Sequence, residues 1–345
     1  MRFFFLLSIL SIFWGACGTN IMTLSVTEPA PVTIPADVRK AAIIARTKVT
    51  KDNDVLNKID QVLSIEGKVL DSLGAQACLV GLYDDLIQNQ RFDSVVLLDS
   101  FELENPNLRQ AAAPLNWNKV AAICQAQQVD LLFVLEHYDT DTKIAYSTVP
   151  VTITTPIGLE VPGLEHQAQV TTFINTTWRI YDPLTKTIYD EFPGTRRFVS
   201  VGKGINPTVA IQAIKNRKNL VEQNSREIGS LYARRLLPYR IRVSRDYFVG
   251  GSPNFKIAKR RAQTGNWDGA AELWLQESKS DKRIPAGRGA YNMAISNEIN
   301  GNLEEAIRWA QKAYEDYNIR EALDYVKILR NRQAKRRLLE VQGRQ

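Results

Sequence analysis

The 345-residue chain contains two His, three Cys and three Met, so it is poor in the imidazoles and thiols from which metal centres and thiol nucleophiles are built. Its apolar start, residues 3–13, is broken by two Ser and falls short of the roughly 20 residues that a membrane-spanning helix needs. No G-x-S-x-G elbow occurs, and Gly202-Lys203-Gly204 has neither the spacing nor the Ser/Thr of a phosphate loop, so it reads as a strand-to-helix connection. The nearest approach to a metal cluster, Glu136-His137-Tyr138-Asp139-Thr140-Asp141, lies at a strand end, where alternation sends neighbours to opposite faces. The other imidazole is His166. No catalytic constellation, metal site or cofactor is expected, and the chain reads as a non-enzyme. What is present is ordinary globular material: 44% hydrophobic and 23% charged residues exclude a disordered chain, and the length suggests two domains.

The amino terminus has the form of an export signal: Met1-Arg2, the apolar stretch, then Trp14-Gly15-Ala16-Cys17. Small residues before a cysteine resemble the lipobox of bacterial lipoproteins, with Trp14 departing from the usual aliphatic residue. The resemblance implies residues 1–16 as signal peptide and Cys17 as the lipidated first residue of the mature chain. Gly18, where an inner-membrane retention Asp would sit, implies the outer membrane, and the lack of an acidic run after Cys17 favours the periplasmic side. Residues 17–35, rich in Thr, Pro, Ala and Val, read as an extended tether. Cys78 and Cys124 lie in helical patterns; buried thiols and a disulfide both fit an oxidising compartment.

From residue 36 the pattern alternates. Residues 38–46 (VRKAAIIAR), 94–99 (SVVLLD) and 130–137 (DLLFVLEH) read as buried strands, with helical spacing over 54–90 and 117–127. After a Pro-punctuated stretch, 149–163, residues 169–181 and 187–201 alternate as strands around the turn Asp182-Pro183. Asn206-Pro207 caps a helix running to Leu237, residues 239–249 form a last strand, and Gly250-Gly251-Ser252-Pro253 marks a boundary. This element order resembles the α/β domain shared by the TolB amino-terminal domain, the curli secretion lipoprotein CsgG and the peptidoglycan-synthase activator LpoB. The curli pore inserts long hairpins into this fold; residues 139–168 are too short for two hairpins of about ten residues per strand, so pore formation is not expected.

Residues 255–341 carry helical periodicity. Gly265-Asn266-Trp267-Asp268-Gly269-Ala270-Ala271 recurs as Gly301-Asn302-Leu303-Glu304-Glu305-Ala306-Ile307, which resembles the tetratricopeptide repeat. The expected fold is therefore a three-layer α/β (α+β) domain with a mixed sheet over 36–249, followed by an all-α tetratricopeptide-like domain. In such repeats the first helices line a concave face, which would place Lys256, Lys259, Arg288, Tyr291, Asn292 and Ile295 in a basic, partner-binding groove. Residues 196–261 hold sixteen Lys/Arg against three acids, about +13 of a net +7. Export removes nucleic acid from the candidate counterparts of that block and leaves anionic lipid or acidic envelope polymers. The expected function is a lipid-anchored, non-enzymatic envelope adaptor or assembly protein; the alternative is a regulator of a periplasmic enzyme such as a peptidoglycan synthase.

Overall fold

The computed structural model describes residues 18–46, 48–49, 61–98, 103–105, 112–154, 156–214 and 217–343. The signal segment and Cys17 lie outside the described residues, as does the start of the helix expected from residue 54. The chain divides into two compact units: Ala30–Leu237, and a second that joins the segment up to Pro29 to the segment from Pro238 onward.

The first strand, β1 (Thr19–Glu28), belongs to the second unit. In the first unit follow β2 (Lys40–Ala45), β3 (Lys48–Val49), α1 (Gln61–Gln88), β4 (Ser94–Leu97), β5 (Glu104–Asn105), α2 (Trp117–Gln127), β6 (Leu131–Thr154), β7 (Glu160–Asp182), β8 (Thr187–Gly204), α3 (Pro207–Gln212) and α4 (Arg217–Ala233). The sheet runs β4-β2-β6-β7-β8, parallel through β4, β2 and β6 and antiparallel through β6, β7 and β8. It is the expected mixed sheet, and the other unit is helical from Pro253 to Gln342. Alternation splits β2 and β6 between two cores. Ala41, Ile43, Leu131 and Phe133 pack towards α1 and α4, while Ala42, Ile44, Leu132 and Val134 pack towards α2. α1 and α4 approach closely because Gly81 lies against the backbone of Arg226 and Gly229 against that of Cys78. Cys78 and Cys124 are free and sit in different cores on opposite faces of the sheet, which settles the question of a disulfide between them.

The helix expected from Asn206 to Leu237 is two helices. Asn206 caps α3 by accepting from the Val209 N–H, with Pro207 at the first position, and α4 starts separately. Through the Pro-punctuated stretch β6 and β7 continue as a long hairpin.

In the second unit β9 (Tyr239–Phe248) pairs antiparallel with β1 along its full length, from Thr19↔Phe248 to Glu28↔Tyr239. Two expectations change here. Residues 17–35 are not simply a tether, and β9 is not part of the large sheet. The sequence Asn20, Met22, Leu24, Val26 has the period-two spacing of a half-buried strand, and that side of the ribbon puts Met22, Leu24 and Tyr247 into the helical core, which Phe248 at the end of β9 also joins. The helices are α5 (Pro253–Gln263), α6 (Trp267–Glu277), α7 (Arg283–Ile299), α8 (Leu303–Glu315) and α9 (Arg320–Gln342). Gly265 and Gly301 take φ of +82° and +77°, which makes both repeated turns depend on glycine. Ala270, Ala306, Ala310 and Ala313 are fully buried, allowing neighbouring helices to close on one another.

Candidate functional site

The six residues expected to line a groove do not line one. Asn292 is fully buried: its Oδ1 accepts from the Phe248 N–H at 2.8 Å and its Nδ2 donates to the Phe248 carbonyl at 2.7 Å. Tyr291 packs against the rings of Phe248 and Tyr325, at 5.2 and 5.3 Å, and Ile295 is fully buried in the same core. Arg288 donates to the Gly250 carbonyl at 2.8 Å and stands over the Phe248 ring. Lys256 is exposed and Lys259 half-buried on α5. The physical reason is the ribbon: strand β9 occupies the face of α7 that a separate partner would need.

Glu298, also on α7, is buried in a knot of charge. Arg245 of β9 grips both its oxygens at 2.9 Å, Tyr325 of α9 donates at 2.7 Å, and Arg332 of α9 adds a further ion pair. Burial works against its charge, yet the hydrogen bonds from Arg245 and Tyr325 and the charge of Arg245 prevail and hold the carboxyl below its ordinary range.

A second knot closes the end of the sheet in the α/β unit. Glu136 sits beside the bulge between Leu135 and His137 and is fully buried. Arg46 pairs with it at 2.8 Å and Arg179 at 3.4 Å, and the Tyr181 hydroxyl donates to it. Arg179 also donates from its Nε to the half-exposed Glu191 carboxylate at 2.9 Å, and the remaining donors reach backbone. Arg46 reaches the carbonyls of Glu104 and Ala113, both at 2.9 Å, and Arg179 that of Ala112 at 2.7 Å. Tyr181 accepts from the Leu115 N–H at 3.1 Å. The knot thus fastens the segment before α2 to the ends of β2, β6 and β7. Of these residues only Glu136 was singled out from sequence; Arg179 in TTWRIYD, a charge inside an apolar run, was the available signal for a buried pair.

The remaining residues of that cluster disperse. His166 stands eleven residues from Thr177, the partner of His137, along β7. Among the described residues no group of three or more His, Cys, Asp or Glu could hold a metal. Asp71 on α1 accepts from the Thr140 N–H at 2.8 Å and hydroxyl at 2.5 Å. Burial, with Asp139 nearby, raises its pKa to about 7 despite those bonds. Burial likewise pushes the Cys124 thiol up to about 12 and the Cys78 thiol further, so neither is a ready nucleophile.

Part of the basic block is met by acids: Arg196 pairs with Glu227 inside it, and acids outside it take Lys203 (Glu165), Arg226 (Asp84), Arg234 (Asp85), Arg235 (Asp190) and Arg261 (Glu272). Arg240, Arg242, Lys256 and Arg260 are exposed.

Two families match the chain. One is described as a domain of unknown function, DUF8603, and matches residues 38–248; the other, also a domain of unknown function, DUF6340, matches residues 256–331. No curated protein matches. Among solved structures, a PelC dodecamer from Paraburkholderia phytofirmans is similar at 11% identity, covering 61% of this chain and 96% of that one, with a TM-score of 0.22. A neuraminyllactose-binding hemagglutinin homologue from Helicobacter pylori is similar at 10% identity, covering 67% and 92%, with a TM-score of 0.20. Likeness at that level carries no argument about function.

Proposed function

The chain belongs to the family described as a domain of unknown function, DUF8603, and from that premise we propose that it is a lipid-anchored, non-enzymatic adaptor of the bacterial cell envelope. It would be held at the outer membrane through Cys17 and bind envelope proteins through its α/β and helical units. The likeness in element order to the TolB, CsgG and LpoB domain is part of this reading.

The lipobox-like run Trp14-Gly15-Ala16-Cys17 carries the anchoring, and the start of the fold sets its reach. The Gly18 carbonyl already accepts from the Val249 N–H at 2.9 Å, and β1 starts at Thr19. An acyl group on Cys17 would therefore hold the helical unit at the bilayer with almost no slack. The non-enzymatic part is supported by the use of the charged clusters: Glu136 and Glu298 are both occupied in fastening elements together. The exposed cations Arg240, Arg242, Lys256 and Arg260 are where acidic polymer or anionic headgroups would meet this unit.

Mass spectrometry of the mature amino terminus tests the anchor. A diacylglyceryl-modified Cys17 is expected, and a free start at another residue overturns it. Crosslinking in cells tests the adaptor role: recovery of several envelope proteins supports it, and recovery of one synthase alone transfers the assignment to a regulator.

A further inference from the structure

The β6–β7 hairpin extends past the rest of the sheet. The last rung between β7 and β8 is His166↔Gly204, whereas β6 and β7 continue for six more rungs, from Val149↔Glu165 to Thr154↔Glu160. At about 3.3 Å per residue this overhang reaches roughly 20 Å. Its sequence from Val149 to Leu164 contains one charged residue, Glu160, and no Lys or Arg. Exposed large apolar side chains concentrate here, with Ile157 81%, Leu164 62% and Leu159 59% accessible. Gly158, at φ +82°, turns the tip between Ile157 and Leu159.

Apolar side chains lie on both faces of the overhang. Alternation puts Val149, Val151, Ile153 and Val161 on one face, and Pro150, Pro162 and Leu164 on the other together with Thr152, Thr154 and, at the tip, Glu160. A protein groove would cover one face, whereas hydrocarbon surrounds both. The prolines add a second argument. Pro150 pairs with Leu164 and Pro162 with Thr152, two rungs of the same parity. A proline inside a ladder has no N–H to give its partner strand, so it occupies a rung whose N–H would point outward. Each edge of the overhang thereby loses an outward donor. This lowers the cost of burying the edges in lipid, and it blocks pairing of either edge with a second copy of the chain.

We propose that the overhanging end of the β6–β7 hairpin is a membrane-insertion loop that buries its tip in one leaflet of a lipid bilayer. Its reach exceeds the roughly 15 Å of one leaflet's hydrocarbon but not the full core of about 30 Å, so it inserts without spanning. With Glu160 and Glu165 as its charges, the driving force is apolar burial and not attraction to anionic lipid. The contact is separate from Cys17 and does not depend on its acylation.

The test uses the chain from Gly18 to Gln345, which cannot be acylated at Cys17, with vesicles of phosphatidylcholine and of phosphatidylethanolamine and phosphatidylglycerol. Co-sedimentation with both is expected, little changed by about 0.5 M NaCl. The double variant Ile157→Lys, Leu159→Lys should partition at least about tenfold more weakly with an unchanged circular dichroism spectrum, because both side chains already face solvent. An environment-sensitive dye on Ile157→Cys reads the tip directly, since Cys78 and Cys124 are buried; its emission should shift to the blue on vesicles. Absence of vesicle binding, binding that survives the double variant, or a dye shift that follows protein concentration without lipid would each overturn the proposal, the last by making a second copy the occupant.

Discussion

The two units solve the same problem with the same residue types: each buries one glutamate between two arginines and a tyrosine. Around Glu136 the arginines divide their donors between that carboxylate, the Glu191 carboxylate and the carbonyls of Glu104, Ala112 and Ala113. Around Glu298, Arg245 sets its Nε and one Nη on the carboxylate and gives the other Nη to the Ser244 carbonyl, and Tyr325 and Arg332 come from one helix, α9. The first knot fixes a loop at a sheet end; the second fixes a strand ribbon onto helices. Such knots specify which elements meet more than they add net stability, because desolvation offsets most of the attraction. Breaking one is a different matter, since it leaves a buried arginine without its counter-charge, Arg46 at the first knot and Arg245 at the second.

The largest effects should therefore come from Glu136→Ala and Glu298→Ala. Glu136→Ala leaves Arg46 without a counter-charge in a closed site and Arg179 with Glu191 alone, at a cost of about 3–5 kcal/mol. Glu298→Ala should cost somewhat less, about 2–4 kcal/mol, because the Arg332 side chain is 22% exposed and regains water. Segment-resolved hydrogen exchange in urea separates the two: the first variant should lower protection in β2, β6 and β7, the second in α7, α9 and the ribbon. Loss spread equally over both units by either variant would mean that the knots are not local fasteners.

Asp71 sharpens the comparison, as a buried carboxylate with hydroxyl and amide donors in place of an arginine grip. The signs are opposite. Glu298 is held below its unfolded pKa, so its contribution is present at neutral pH and is lost as pH falls through its folded pKa. Asp71 is raised from 3.8 to about 7, so between about pH 4 and 7 the folded state holds the extra proton, and stability falls as pH rises through that window. Asp71→Asn removes this penalty. The variant should match the parent near pH 4 and exceed it by about 1–3 kcal/mol at pH 8, read from urea midpoints at both pH values. Equal differences at the two pH values would refute the assignment.

The contrast also shows how far the sequence reaches. Strand and helix positions in the α/β core followed from apolar runs such as KAAIIA and LLFVL, and both repeat turns followed from Gly265-Asn266 and Gly301-Asn302. The ribbon did not, although Asn20, Met22, Leu24 and Val26 carry a strand's alternation. A strand whose partner lies some 220 positions away reads locally like any extended segment. That one missed pairing explains the misplaced groove, because Tyr291, Asn292 and Ile295 have suitable chemistry for a partner and meet the chain's own β9. The overhang was not legible for the opposite reason: Pro150, Pro156 and Pro162 gave the stretch no strand pattern, while two of them occupy ladder rungs that tolerate proline.

The smallest expected effect isolates burial from geometry. Lys327 and Asp324 on α9 form an ion pair at 2.8 Å, the same separation as Arg46 and Glu136. Their side chains are 68% and 79% exposed, so each is well hydrated without the other, and holding two flexible side chains together offsets much of the attraction. Lys327→Ala should change stability by less than about 0.5 kcal/mol, and added salt should erase even that. A loss comparable to that of Glu136→Ala, measured by the same urea titration, would show that distance and not desolvation sets the worth of these pairs, and would remove the physical basis for ranking the two knots above every surface pair in the chain.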